Sequence, residues 1–460
     1  MSDFGRTNPS VIIIGAGASG TAAASKLYQN GIENITILEA ENRIGGRIHS
    51  VAFDNLYIDL GAQWCHGEKG NVVYELVKDL DILKDDTFVT NLYHSSKGVI
   101  DEEFRNKIWE VFKSGKKAES LAKSLTESFE EEAWEDEGLA QECLEWLRKW
   151  ALLNEGAFSW FNVSGRSDFE HCEGNLRLSW DGLGYKTILD ILMCKFPVGR
   201  HPMPIESKIM LNKEVCQISW DEQAVVDCAD GTTYVADHVI VTTSLGVLKN
   251  YHKTLFYPTL PQGKVEAIEV LGFDSVGKIY LHFPNRWWND NFDNINFVWS
   301  EQDLEKTAEA FPHGPKKEGK SWITAIFAIH VVPKCPNLLV AQIAGEFVSE
   351  IENSPDELII RGMGYILHKF LEKQHVPDKI IRENWYSNSH FHGAYSFQTV
   401  ASQKRGCSQA NILAQPLLTV DGKPTLLLAG EATHPKYYST VHGAIQTGFR
   451  EAERLIDFYK

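Results

Sequence analysis

The chain is poor in the features that build metal or thiol chemistry. Its eight cysteines are scattered, with Cys216 and Cys228 the closest pair, so neither a Cys-x-x-Cys redox motif nor a zinc site is spelled, and no metal is expected. No apolar run approaches the length of a membrane span. Positive charge is in deficit, 45 Lys and Arg against 62 Asp and Glu, for a net charge of −17. That balance repels nucleic acid and anionic membranes and excludes both as partners, whereas a small cation would be drawn in. Runs such as Glu130-Glu131-Glu132 and Glu135-Asp136-Glu137 read as a solvated face. The polar start, Met1 to Ser10, leads directly into an apolar strand and leaves no room for a signal peptide. The last residues, Asp457 to Lys460, form no peroxisomal tripeptide, so reduced thiols and a cytoplasmic location are expected.

What is present begins at Val11. The strand Val11-Ile12-Ile13-Ile14 runs into Gly15-Ala16-Gly17-Ala18-Ser19-Gly20, and a helix of small residues follows to Asn30-Gly31. This is a G-x-G-x-x-G turn in strand–turn–helix context. Gly15 permits the sharp turn, Gly17 lets backbone approach a pyrophosphate, and Gly20 lets the helix pack on the strand. Free N–H groups around Ser19 and the positive end of the helix dipole face the phosphates. A second strand, Ile35 to Leu38, ends in Glu39, whose carboxylate suits both hydroxyls of an adenosine ribose and argues against a 2′-phosphate. Gly45-Gly46-Arg47 then adds another tight turn with a guanidinium beside the same diphosphate, which favours a flavin over a nicotinamide dinucleotide.

At 460 residues and 43% hydrophobic, the chain is expected to form two or three domains. With no internal repeat and no low-complexity linker, those domains should be interleaved. Nucleotide-type segments recur: Lys213 to Trp220 alternates like a strand, Ala229-Asp230-Gly231-Thr232 reads as a hairpin turn, and Asp237 to Thr242 as another strand. Strand Leu426 to Ala429, a break at Gly430-Glu431 and an amphipathic helix to Phe458 close the chain. The expected class is α/β with α+β elements. A Rossmann-like dinucleotide-binding domain of residues 1–75, 205–255 and 415–460 interleaves with a mixed-sheet and helix substrate domain of 76–204 and 256–414. In the latter, Leu139 to Leu153, Tyr185 to Met193 and Pro355 to Gln374 carry helical periodicity, Lys278 to Phe283 reads as a strand, and Glu301 to Lys320 as a surface excursion.

Two further constellations carry chemistry. In Asp59-Leu60-Gly61-Ala62-Gln63-Trp64-Cys65-His66-Gly67, small Gly61 and Ala62 allow backbone to lie against a flat ring, while Gln63, Trp64 and His66 can face a cleft. In Leu428-Ala429-Gly430-Glu431-Ala432-Thr433, Glu431 at a strand end can bind ribityl hydroxyls, and Thr440 to Ala444 opens a helix whose N–H groups can stabilise negative charge on a reduced ring.

Together these motifs resemble those of the flavin-containing amine oxidase superfamily, and within it the polyamine oxidase branch of spermine oxidases and N1-acetylpolyamine oxidases. The likeness spans both ends and several middle segments, with 85–200 poorly covered. It implies FAD, and oxidation of a small cationic polyamine by hydride transfer to flavin N5, with molecular oxygen as acceptor and an aldehyde, a shorter amine and hydrogen peroxide as products. Lys278 matches the lysine that the family bonds through water to flavin N5, and His66 the histidine of its Trp-x-His-Gly pattern, with Cys65 at an aliphatic position. Trp385 is implied beside the flavin, Tyr395 in the aromatic substrate wall and Val215 by the adenine. Tyr185 and Ser439 match substrate-side positions, and Glu170 or Glu173 falls where relatives place a carboxylate for a distal ammonium. Related monoamine oxidases attach flavin through a cysteine aligned with Ala394, so the FAD here is expected to be noncovalent. A histone-lysine demethylase would add a helical module and a coiled-coil insertion that are not visible. An amino-acid oxidase, or a flavin-binding scaffold without turnover, stays open.

Overall fold

The computed structural model describes residues 8–113, 115, 117–372 and 374–460, so most of the polar amino-terminal stretch lies outside the described residues. The protein is mixed α/β. A six-stranded sheet runs in the order Leu417–Leu418, Pro424–Leu428, His238–Val241, Val11–Ile14, Ile35–Leu38 and Ile209–Met210. All neighbours are parallel except the first pair.

Its strands are near-continuous apolar runs because both faces are covered. Val11, Ile13, Ile37, Ile240 and Leu427 turn one way, onto the helices Ala18–Gln29 and Val441–Phe458. Ile12, Ile14, Leu38, Val239, Val241, Leu426 and Leu428 turn the other way. There they meet a four-stranded sheet of Thr233–Ala236, Ala224–Cys228, Val215–Ser219 and Phe256–Tyr257.

A second sheet of seven strands has Gly277–His282 between Lys379–Arg382 and Leu338–Ile343. The two-residue period of that strand sends Ile279 and Leu281 into a core with the helix Asp356–Leu371. Lys278 and Tyr280 consequently face the opposite side, toward the hairpin of Ser50–Phe53 and Leu56–Asp59. The long helix Glu137–Glu155 starts where Asp136 accepts the Leu139 N–H and stops at left-handed Gly156.

One expectation changes. Residues 301–320 are not a plain excursion: Glu301–Ala310 is a helix capped by Ser300, which accepts the Asp303 N–H at 3.1 Å, and a two-stranded ladder follows. A single cap set this helix, and its weakly apolar face gave little periodic signal. No helix of the described residues is long and apolar enough to cross a membrane.

The first and last helices pack backbone to backbone at Gly448, where an added Cβ would lie 2.2 Å from the Ser19 carbonyl oxygen. Helix propensity alone favours Ala over Gly by about 1 kcal/mol, while overpacking costs about 1–3 kcal/mol. Gly448→Ala is therefore expected to lower the urea midpoint despite its better propensity. An unchanged or raised midpoint would contradict this packing.

Candidate active site

The dinucleotide end is built from glycine turns and one carboxylate. Gly15 donates its N–H to the Leu38 carbonyl at 2.8 Å, locking the turn onto the next strand. Glu39, only 6% exposed, accepts the Ala16 N–H at 2.7 Å and the Glu41 N–H at 2.9 Å. Burial raises its pKa, and those two N–H bonds pull it back. Gly17 and Gly46 face one another across a seam, where a Cβ on Gly46 would lie 3.6 Å from the Gly17 Cα. Gly17 brings no side chain to cap the first helix, which leaves the N–H groups of its opening turn, Gly20 among them, for a ligand. The Ser19 hydroxyl turns instead to Thr447 at 3.4 Å, so Ser19 can serve this site only through its backbone. Lys213 and Asn212 donate their N–H groups to the Glu39 and Glu41 carbonyls, which brings Val215 to the same edge.

These residues fit the group that the motifs imply. The Thr243 hydroxyl is buried with no hydrogen-bond partner among the described residues, at the carboxyl edge of the parallel sheet beside Gly430. A glycine-lined seam, an uncapped helix start and an orphaned hydroxyl are what a diphosphate and its polyol chain require.

Glu431 ties the two ends of the chain together. Only 4% exposed, it accepts Arg47 Nη1 at 2.8 Å, the Ser396 hydroxyl at 2.6 Å and the Ser439 N–H at 2.6 Å. Arg47 Nη1 also donates to the Ala394 carbonyl at 2.7 Å. Ser439 sits at φ 66°, and its hydroxyl donates to the Ser396 carbonyl, so both of its polar groups are already engaged. Thr440 caps the last helix by accepting the Gly443 N–H at 3.0 Å.

At the opposite end, Lys278 donates to the Gly61 carbonyl at 2.7 Å, to Gln63 Oε1 at 3.0 Å and to the Asp59 carbonyl. Burial lowers its pKa to about 8, opposed by the Asp59 carboxylate. Asp59 in turn is raised by burial to about 6. Ala62 donates its N–H to the Arg47 carbonyl at 3.2 Å, and Trp385 Nε1 donates to the Leu60 carbonyl at 3.3 Å. Gly61, Ala62, Gln63, Trp385 and Lys278 are thus brought together. Trp64 donates Nε1–H to Asp86 at 2.6 Å and lies 6.5 Å, centroid to centroid, from His66. His66 Nδ1 is 2.7 Å from the Leu176 carbonyl, so that nitrogen carries the hydrogen and Nε2 keeps its lone pair. His66 is exposed at its surface, yet desolvation by the walls around its ring, with the Arg177 charge, lowers its pKa and favours the neutral ring.

Two expected substrate contacts are not cleft residues here. Tyr185 is 2% exposed, its ring packed 4.7 Å from that of Trp180, and its backbone N–H bonds Asp59. It supports the site from within the core. Glu173 is exposed and paired with Lys69 at 3.0 Å, and Glu170 pairs with Lys436 at 2.6 Å. Glu155 is the carboxylate that motif reading missed. It ends the long helix, is half-buried, makes no hydrogen bond or ion pair among the described residues, and acts electrostatically on Tyr395 and Tyr438. Tyr395 itself donates to the Leu153 carbonyl. Burial pushes the Glu155 pKa up to about 7. Its only sequence signal was position, the last residue of a helix before a left-handed glycine.

A parallel sheet with a glycine-rich turn, joined to a second sheet that delivers a half-buried lysine, defines a dinucleotide-dependent oxidoreductase. Residues 18–456 match the family model described as flavin containing amine oxidoreductase, and the chain belongs to that family as an FAD-dependent amine oxidase. It is 28% identical to protein anon-37Cs of Drosophila lebanonensis over 99% of this chain and 89% of that one. Against the peroxisomal N(1)-acetyl-spermine/spermidine oxidase of Bos taurus the identity is 28%, covering 98% and 95%. Against polyamine oxidase 1 of Zea mays it is 27%, covering 98% and 90%.

Glu155 also makes a pH prediction. Its folded pKa is raised, so between about 4.5 and 7 the folded state binds a proton that the unfolded state has lost, and stability falls as pH rises through that window. Glu155→Gln removes this loss. Urea midpoints of the variant relative to wild type should rise between pH 5 and 8, and a constant difference would place Glu155 in water.

Proposed function

We propose that this amine oxidase acts on polyamines: spermine, spermidine or their N1-acetylated forms. The single observation that carries the reading is the unpaired Glu155 carboxylate beside the aromatic rings of Tyr395 and Tyr438, a place for a substrate ammonium. The names of the bovine and maize relatives agree with it. The same reading assigns residues 1–75, 205–255 and 415–460 to FAD binding, assigns 76–204 and 256–414 to substrate binding, and keeps the protein in the cytosol.

When bound, FAD supplies the redox chemistry, accepting hydride from the amine carbon and passing electrons to oxygen. The chain supplies binding and proton placement. Gly15, Gly17, Glu39 and Arg47 would hold the dinucleotide, with Nε and Nη2 of Arg47 free of hydrogen bonds among the described residues. Trp385 and Tyr395 exclude water, and the Nε2 lone pair of His66 is available to the substrate nitrogen. Lys278 holds its proton at Nζ below about pH 8, where a positive charge favours electron transfer to oxygen.

A peroxide assay with spermine, spermidine, N1-acetylspermine and common amino acids tests the substrate class. Polyamine-dependent peroxide is expected, and peroxide from amino acids alone would overturn it. Lys278→Met should retain FAD and slow reoxidation of reduced enzyme by about 100-fold or more. In wild type that step should slow as pH rises through about 8, because the ammonium is lost there, and the variant should be flat. Unchanged oxygen kinetics would remove Lys278 from the reaction.

A further inference from the structure

Arg177 belongs to none of the roles assigned above, yet it is built into the wall that carries His66. It follows Leu176, whose carbonyl holds the His66 ring, and its own backbone bonds Asn175 and Asp86. The guanidinium lies between two aromatic rings, 4.2 Å from the Trp64 centroid and 4.0 Å from that of Phe88. Such a clamp fixes the plane of the fork and rewards the positive charge. The nearest carboxylate, Asp86, gives Oδ2 to Trp64 instead and makes no ion pair with Arg177 among the described residues.

The donors of that fork are left over. Nε and Nη2 of Arg177 are buried with no hydrogen-bond partner among the described residues. His330, 6% exposed, lies 6.3 Å from Trp64 and 5.6 Å from Phe88, ring to ring, and its Nε2 is likewise buried and unpartnered. Burial lowers the Arg177 pKa to about 10, which still leaves it charged at neutral pH. His330 is pushed down to about 3 by burial and by the charges of Arg177 and Lys278, so its ring is neutral. Three unmade hydrogen bonds, among the described residues, in one aromatic cluster are costly without a partner. Trp64 follows Gln63, whose Oε1 accepts from Lys278 at 3.0 Å, so the cluster lies on the lysine side of the cleft.

We propose that the pocket of Arg177, His330, Trp64 and Phe88 is a specificity site that receives an acceptor oxygen on the non-reacting arm of the substrate, an acyl carbonyl in preference to a free ammonium. This rests on the reading that the cleft takes an amine. A guanidinium fork donates to a carbonyl or carboxylate oxygen and repels an ammonium, while the faces of Trp64 and Phe88 suit a small apolar acyl group. Glu155 and Arg177 then give the cleft two different ends, one selecting positive charge and the other an oxygen.

The test compares flavin-loaded wild type, Arg177→Gln and Arg177→Lys on N1-acetylspermine, spermine and an N-carboxyalkyl diamine. In Arg177→Gln, kcat/KM for N1-acetylspermine relative to spermine should fall about 10- to 100-fold, mainly through KM. Spermine should hold or improve as the repelling charge goes, and Arg177→Lys should fall between. A larger loss for the carboxylated amine would assign the oxygen to a carboxylate, within the same proposal. Equal losses on all substrates, or a lower urea midpoint with unchanged selectivity, would overturn it and leave Arg177 a packing cation. N-butylacetamide, which cannot be oxidised as an amine, separates this proposal from the substrate reading: it should perturb the flavin absorbance saturably in wild type and not in Arg177→Gln. Perturbation without amine turnover would sink the polyamine reading and keep the pocket, and turnover without perturbation would do the reverse. Should Arg177→Gln fail to accumulate, Arg177→Lys makes both comparisons.

Discussion

A buried carboxylate must be paid in hydrogen bonds, and at Glu431 they come from three separate stretches of chain, one of them close by. Arg47 arrives from the turns after the strand Ile35–Leu38, Ser396 from the strand Tyr395–Phe397 and Ser439 from the turn before the last helix. Truncating any one would leave polar groups unsatisfied in a nearly dry setting. The arrangement explains how interleaved segments hold one geometry: the amino- and carboxy-terminal pieces share both a sheet and this junction. Gly448 against Ser19 closes the same contact from the helical side.

The second constraint is a cation inside the protein. Lys278 is held by the carbonyls of Asp59 and Gly61 and by Gln63, while Asp59 is braced by Ser50 and by the Tyr185 N–H. Carbonyl oxygens solvate an ammonium without neutralising it, so the charge remains at the cleft. The same economy shapes the walls. Among the described residues Glu155 carries a carboxyl without a partner beside Tyr395 and Tyr438, and Arg177 has Nε and Nη2 without an acceptor between Trp64 and Phe88. Such groups are unfavourable in an empty protein and favourable only against complementary ligand atoms.

What was legible in the sequence was what depends on backbone and local period. The Gly15-to-Gly20 turn, the acidic end at Glu39 and the Thr440-led helix are local events, and their residue types follow from turn, dipole and cap chemistry. The strand carrying Lys278 was legible, and its two-residue period accounts for the facing that the structure shows. Side-chain destinations were less legible, because tertiary packing decides them. Ser19 turned to Thr447, Tyr185 went into the core against Trp180, and Glu173 paired at the surface with Lys69. Glu155, Arg177 and His330 carry no spacing signal, since each gains its meaning from neighbours tens to hundreds of residues away.

The central proposal is FAD held without a covalent bond where the chain ends converge, since alanine at position 394 has no side chain that could bond a flavin. The direct measurement is the FAD content of the supernatant after purified protein is precipitated by heat or acid. One FAD per chain should be released into solution. Colourless protein, or flavin that stays with the precipitated polypeptide, would contradict the account.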